Sequence, residues 1–181
     1  LPLPPRLARM VLAAGDTGQG REAAELAAVI VERGLGGDAV DLTDRIDRFR
    51  RDRSKRAEDM ARLARAWAKE AGETANGRER LSTGGLLALA YPDRIAKARG
   101  KPGEFLMANG RGANVEPHDR LAREPFLAIA EIAGGAASAR ILAAAPISLE
   151  TIEADYGKAI EQREDVSFDR QARGLRARAI R

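Results

Sequence analysis

Few side chains in this sequence could do covalent or metal chemistry. His118 is the single histidine and cysteine is absent, which excludes thiolate metal sites and a disulfide framework. His118 stands in a loop between Pro117 and Asp119. It has no cysteine or paired carboxylate to complete a metal site, and no adjacent nucleophile to activate. Asp38, Asp41, Asp44 and Asp47 recur every three residues. A calcium loop needs oxygens at alternating positions around a central glycine, so helix capping and a solvated face explain the four better than a cation does. Gly15-Asp16-Thr17-Gly18-Gln19-Gly20-Arg21 lacks the Gly-Lys-Ser/Thr ending of a phosphate loop. It also separates two helices, where a phosphate loop follows a strand. Gly110-Arg111-Gly112 has no third glycine and no helix after it, so it is not a dinucleotide fingerprint. It is a tight turn exposing an arginine, with or without an RNA or protein contact. No catalytic residue and no metal ligand is assigned.

Positive charge is the stronger signal. The 181 residues include 31 Lys and Arg against 27 Asp and Glu, a net charge of +4, and the pI is about 9.8. That balance permits an anionic partner without demanding one. Nine basic and five acidic residues fall between Asp44 and Arg65, and six arginines and three acids between Arg163 and Arg181. The first patch holds Arg45, Arg48, Arg50, Arg51, Arg53, Lys55 and Arg56; it is either a solvated helix surface or a groove that tracks a phosphate backbone. In the second, arginines from Arg173 to Arg181 alternate along one strand face, which on a barrel could hold single-stranded nucleic acid. Aromatic residues to stack bases are scarce there, Phe168 being the nearest.

The elements that must position these charges follow from composition and pattern. The length suits one domain or two small ones. With 44% hydrophobic and 32% charged residues the chain is globular and not disordered. Only 4% of residues are aromatic, so alanine and leucine do most of the packing, which favours close-packed helices. No apolar run approaches the ~18 residues a membrane span requires and no signal peptide is visible, so no membrane partner is expected. The lack of cysteine fits a reducing cytoplasm. The chain opens on Leu1 without methionine and ends on Arg181 within an apparent strand, as expected of a fragment.

After a proline-rich lead-in, Pro5 starts a helix with Leu7, Met10, Val11 and Ala14 inward. A second helix over 21–33 is apolar on more than one face. Asp41 caps a third, with Leu42, Ile46 and Phe49 inward. Ser54 caps a fourth, with Met60, Leu63, Ala64, Trp67 and Ala71 as its stripe. Residues 73–80, around Asn76-Gly77, are the linker candidate, dividing a helical domain 1–76 from a second domain 77–181. Ser82 caps a short helix broken at Tyr91-Pro92, and a basic helix from Pro92 is expected to stop at Gly100. Strands follow at 104–109, 113–116, 126–132 and 139–145. A helix over 149–155 comes next, then strands around 160–168 and 175–181. Short antiparallel strands with a helix between the third and fourth give the order of an OB-type barrel. The fold class is α+β: a bundle of four to five helices, then a small antiparallel barrel.

Leu3-Pro4-Pro5-Arg6-Leu7-Ala8-Arg9-Met10-Val11-Leu12, with the glycine loop and Glu25-Leu26-Ala27-Ala28-Val29-Ile30, resembles the helicase-associated region of DEAH-box (DEAH/RHA) helicases. The Ala-Leu-Ala-Tyr-Pro-Asp-Arg-Ile-Ala stretch of 88–96 and Phe105-Leu106-Met107-Ala108-Asn109-Gly110-Arg111-Gly112-Ala113 look like the bacterial HrpB branch of that family. Ala139-Arg140-Ile141 and Val166-Ser167-Phe168-Asp169 are similar to it too. The resemblance implies a C-terminal region behind two RecA-like motor lobes, with a ratchet-like helical part lining the RNA channel and an OB-like part touching RNA. The family hydrolyses nucleoside triphosphate with magnesium to move along nucleic acid. No Walker A, Asp-Glu-Ala-His or arginine-finger motif occurs here, so ATP and Mg are expected in the motor lobes and this stretch alone is expected to lack ATPase activity.

The expected function is that of a non-motor accessory part of an ATP-dependent RNA helicase, binding single-stranded RNA or DNA and coupled to the RecA-like lobes of the same chain. Arg94, Lys97, Arg99, Asn109 and Arg111 are the expected nucleic-acid contacts, because they flank a turn at the junction of the two parts. The rival expectation is a protein-interaction module without nucleic-acid contact. Salt separates the two, since charge-driven binding weakens steeply as salt rises.

Overall fold

Pro5 opens α1 (Pro5–Gly15), where its missing N–H falls among amides that have no helical partner. α2 (Gly20–Val31) buries Ala23, Ala24, Leu26, Ala27, Ala28 and Val29, and these small side chains let α1 and α4 pack closely against it. Three helices carry the expected caps. Asp41 Oδ1 accepts from Thr43 N at 2.9 Å ahead of α3 (Leu42–Arg51). Ser54 Oγ accepts from Ala57 N at 3.2 Å ahead of α4 (Lys55–Ala71), and Ser82 Oγ accepts from Gly85 N at 3.2 Å ahead of α5 (Thr83–Ala90). Each such cap contributes about 1 kcal/mol. The structure is a computed structural model that describes residues 1–72, 74, 79–135, 139–159, 163–169 and 174–180.

Two expectations for the helices are corrected. Leu63 is 40% exposed, and α4 instead buries Ala57, Ala64, Trp67 and Ala68. Alanine lets α4 approach α2 closely, so the contact line follows the alanines and not the leucine. Arg45, grouped by sequence with the solvated arginines, is buried, and its Nη2 donates to Val29 O at 2.9 Å.

Five strands close the barrel in the order β1-β2-β3-β5-β4: β1 (Ile95–Ala98), β2 (Glu104–Met107), β3 (Gly112–Asn114), β4 (Phe126–Ala133) and β5 (Ala139–Pro146). Pairings are antiparallel except β3–β5, which is parallel. Phe105, Met107, Leu121, Leu127, Ile129 and Ile141 fill the core. α5 packs on β4 and β5, so β4 is buried on both faces from Leu127 to Ala130. The approach of α5 requires glycine at position 84, where an added Cβ would lie 2.0 Å from the Pro146 carbonyl oxygen.

The basic helix expected from Pro92 to Arg99 is corrected to a 3-10 turn, Pro92–Arg94, followed by β1. Too few residues separate Pro92 from Gly100 to offset helix nucleation, whereas an extended chain gains ladders with both β2 and β4. With β1 in place, the expected strand order is corrected: the barrel begins at Ile95 and not at Glu104. The barrel is complete by Pro146, and the link between β3 and β4 carries only the 3-10 turn Arg120–Arg123. The chain divides into two compact units, Leu1–Ser148 and Leu149–Arg181. The second contains α6 (Leu149–Tyr156) and the hairpin of β6 (Arg163–Asp169) with β7 (Gly174–Ile180), which form their own two-stranded sheet outside the barrel. The arginine-bearing strand expected to face nucleic acid on the barrel is therefore not a barrel strand. Residues 73 and 75–78 of the linker candidate, including Asn76-Gly77, lie outside the described residues, as do Arg170, Arg173 and Arg181.

Inside the first unit, helices and barrel interlock. Ala144 N donates to Val40 O at 2.9 Å, Asp41 bridges to Ala144, and Arg120 Nη1 donates to both Asp44 oxygens at 2.7 and 2.8 Å. Among the described residues no helix is long and apolar enough to cross a membrane.

Candidate nucleic-acid interface

The expected contact residues fall into two groups. Arg94, Asn109 and Arg111 shape a rim of the barrel. Asn109 Oδ1 accepts from Arg111 N at 3.0 Å, an Asx turn that closes the β2–β3 link, and Asn109 N donates to Asp93 O at 3.1 Å. Gly110 sits there at a φ of 84°, a left-handed conformation that glycine adopts at no steric cost. Arg111 Nη2 donates to Gly135 O at 3.2 Å, and its buried Nε has no hydrogen-bond partner among the described residues.

Arg94 has a structural task that sequence alone did not reveal. In β4, Ile129 opposes Ala144 and Glu131 opposes Ala143, which leaves Ala130 without a partner on β5. This is a β-bulge, and Arg94 Nη1 takes up its free carbonyl, donating to Ala130 O at 2.6 Å. The Arg94 guanidinium lies 4.9 Å from the Tyr91 ring centroid, and Arg6 approaches the same ring at 5.5 Å, both within cation–π range. Arg6 also pairs with Asp93 at 2.5 Å. Burial raises the Tyr91 phenol above its ordinary range, with Arg94 and Arg6 opposing the shift.

Lys97 and Arg99 form the second group. Both are exposed on the outer wall. Lys97 is registered opposite Leu106 on β2 and Phe126 on β4, and Arg99 N donates to Glu104 O at 2.9 Å.

Arg50 and Arg56 of the helical basic patch pair with acids from α2 and its C-terminal end. Arg50 and Arg21 hold Glu25 at 2.8 and 3.2 Å, and Arg56 holds Glu32 at 2.6 Å. An open groove of about 760 Å³ contains Arg53 and Arg65, but also Glu22, Glu25, Asp52 and Glu58. Hydrogen bonds from Ser54, its backbone amide first, hold the Asp52 carboxyl below its usual range. Burial lowers the Arg45 guanidinium against the opposing pull of Glu131 and Asp38. Such mixed charge is a poor track for a continuous phosphate backbone.

Among the described residues no group of three or more His, Asp and Glu side chains is placed to hold an ion, and His118 is exposed. Asp41 and Asp44 turn to Arg120, at 3.8 and 2.7 Å. The hydrogen bond to Asp44 raises the Arg120 guanidinium.

No family model matches the chain. It is 29% identical over 167 residues to the ATP-dependent RNA helicase HrpB of Escherichia coli (strain K12), covering 91% of this chain and 20% of that protein. A crystal structure described as the E. coli DExH-box NTPase HrpB superposes with a TM-score of 0.71 at 26% identity, over 98% of this chain and 21% of that one. A second, described as the Escherichia coli DEAH/RHA helicase HrpB, shares the fold with a TM-score of 0.67 at 24% identity, over 98% of this chain and 21% of that one. The chain is therefore homologous to a stretch making up about a fifth of the E. coli DEAH-box helicase HrpB, and it has the fold of that stretch.

Proposed function

We propose that the chain is a non-motor accessory part of an ATP-dependent RNA helicase, which binds single-stranded nucleic acid and couples its movement to ATP turnover in RecA-like lobes of the same protein. The observation that carries this reading is the homology to HrpB over 91% of the chain. The fold supports it: five strands in the order β1-β2-β3-β5-β4 with a parallel β3–β5 pair suit an OB-type barrel, a frame that binds oligonucleotides. In this reading Lys97 and Arg99 meet phosphates from the outer wall, and Arg94, Asn109 and Arg111 contact the strand at the rim they shape. The cytoplasm is the expected site of action.

Fluorescent single-stranded RNA titrated with the 181-residue chain at several salt concentrations tests this, with ATP hydrolysis followed in parallel. Salt-sensitive binding without hydrolysis is expected. A single-strand contact releases about 0.7 counterions per phosphate, so Lys97→Ala with Arg99→Ala should reduce the salt slope by about 1.4. Absence of binding at low salt refutes the reading and favours a protein partner.

A further inference from the structure

The barrel's outer wall carries a row that sequence spacing conceals. Residues directly opposite one another on adjacent strands point to the same face. The register sets Phe126 of β4 opposite Lys97 of β1, Lys97 opposite Leu106 of β2, and Leu106 opposite Gly112 of β3. Lys97 is exposed, so the Phe126, Lys97 and Leu106 side chains face outward, and the row ends on the buried Gly112. Phe126 is half-buried, and its neighbour Leu127 points into the core; Leu106 is 41% exposed. Beside this row runs a second one. Arg99 N donates to Glu104 O, Glu104 opposes Asn114, and Asn114 opposes Arg140 of β5. Arg140 is exposed.

We propose that the Phe126–Lys97–Leu106 row is a nucleobase platform and that Arg140 joins Arg99 in holding the phosphates of the same single strand. This rests on the function proposed above and names residues that it does not. The chemistry is specific to a single-stranded nucleic acid. An aromatic ring and an aliphatic side chain, about 10 Å apart across two strand spacings, offer apolar surface for two unpaired bases. The cations Lys97, Arg99 and Arg140 outnumber the one carboxylate on these rows, Glu104. A paired duplex hides the base faces that such a platform needs. The outer wall thus supplies the stacking residue that the arginine-bearing C-terminal strand lacked.

The experiment compares binding of an intact single-stranded oligonucleotide and an abasic one of equal length to the wild-type chain, Phe126→Ala, Phe126→Trp, Leu106→Ala and Arg140→Ala, with Arg9→Ala as a charge control on α1. Stacking on an aromatic side chain is worth roughly ten-fold or more per base. Wild type should therefore prefer the intact strand by about that factor. Phe126→Ala should lose most of that preference with an unchanged salt slope, and Phe126→Trp should keep it, which separates stacking from misfolding. Leu106→Ala should lose part of the preference. Arg140→Ala should lower the salt slope by about 0.7, and Arg9→Ala should leave it unchanged. A wild-type chain that binds with normal salt dependence yet does not distinguish abasic from intact strands overturns the platform alone. Unchanged behaviour of Phe126→Ala and Arg140→Ala overturns it as well. A wild-type chain that binds neither strand at low salt overturns the functional reading and this inference together.

Discussion

Replacing Arg94 by alanine measures how much of the barrel's stability rests on this one arginine. Arg94 satisfies the Ala130 carbonyl at the β4 bulge and stacks on a ring that is 9% exposed. Leaving a buried carbonyl without its donor costs about 1–3 kcal/mol, and losing a partly desolvated cation–π contact costs about 0.5–2 kcal/mol. The two losses share one side chain and are not fully additive, so the expected destabilisation is about 2–4 kcal/mol. Urea unfolding followed by far-UV circular dichroism measures it. With a slope of about 2 kcal/mol per molar urea, the midpoint should fall by about 1–2 M while the slope is unchanged. Arg94→Lys should lie between the two, since an ammonium keeps the charge but not the planar stacking. A loss below about 0.5 kcal/mol would show that the bulge carbonyl does not depend on Arg94.

Two further outcomes are expected. Gly84→Ala should destabilise by about 1–3 kcal/mol despite alanine's better helix propensity, because its Cβ would meet the Pro146 carbonyl oxygen at 2.0 Å, and neither that Cβ nor the backbone carbonyl can rotate away; Gly135→Ala, with open space around it, is the control, and equal thermal midpoints for the two would contradict the close packing of α5 on β5. Tyr91 has a raised phenol pKa in the folded state, so above the ordinary tyrosine value of about 10 the native state keeps a proton that the unfolded chain has released, and stability falls as pH rises through that window. The stability difference between wild type and Tyr91→Phe should hold constant from neutral pH upward and shrink above about pH 10; parallel curves would rule out the burial of that hydroxyl.

The helices were legible because their signals are local. Asp41, Ser54 and Ser82 each bond an amide two or three residues ahead, and the apolar period of α1 lies within eleven residues. The barrel was legible only in part. Strands β2, β4 and β5 alternate or run apolar between glycines, but β1 is only four residues long, and its extended state comes from ladders with the nearby β2 and with β4, about thirty residues on. A sequence pattern without β1 leaves the barrel one strand short, and α6 and the β6–β7 hairpin fill that place although the barrel closes without them.

Sequence by itself determined the helix starts, the order of helices before strands, the absence of cysteine chemistry, and the stretches 3–12, 88–96 and 105–113 that carry the resemblance to HrpB-type helicases. Those properties depend on residue type and short spacing. Tertiary structure alone decided what each arginine does. Arg45 is buried on a helix carbonyl, Arg94 serves a strand bulge, Arg120 ties the barrel to α3, and Lys97 of β1, Arg99 just beyond it and Arg140 of β5 stand outward. A guanidinium has the same charge and hydrogen-bonding capacity in every position. Only the carbonyls, rings and carboxylates that folding brings within about 3–5 Å distinguish an arginine that holds the fold from one that meets a ligand.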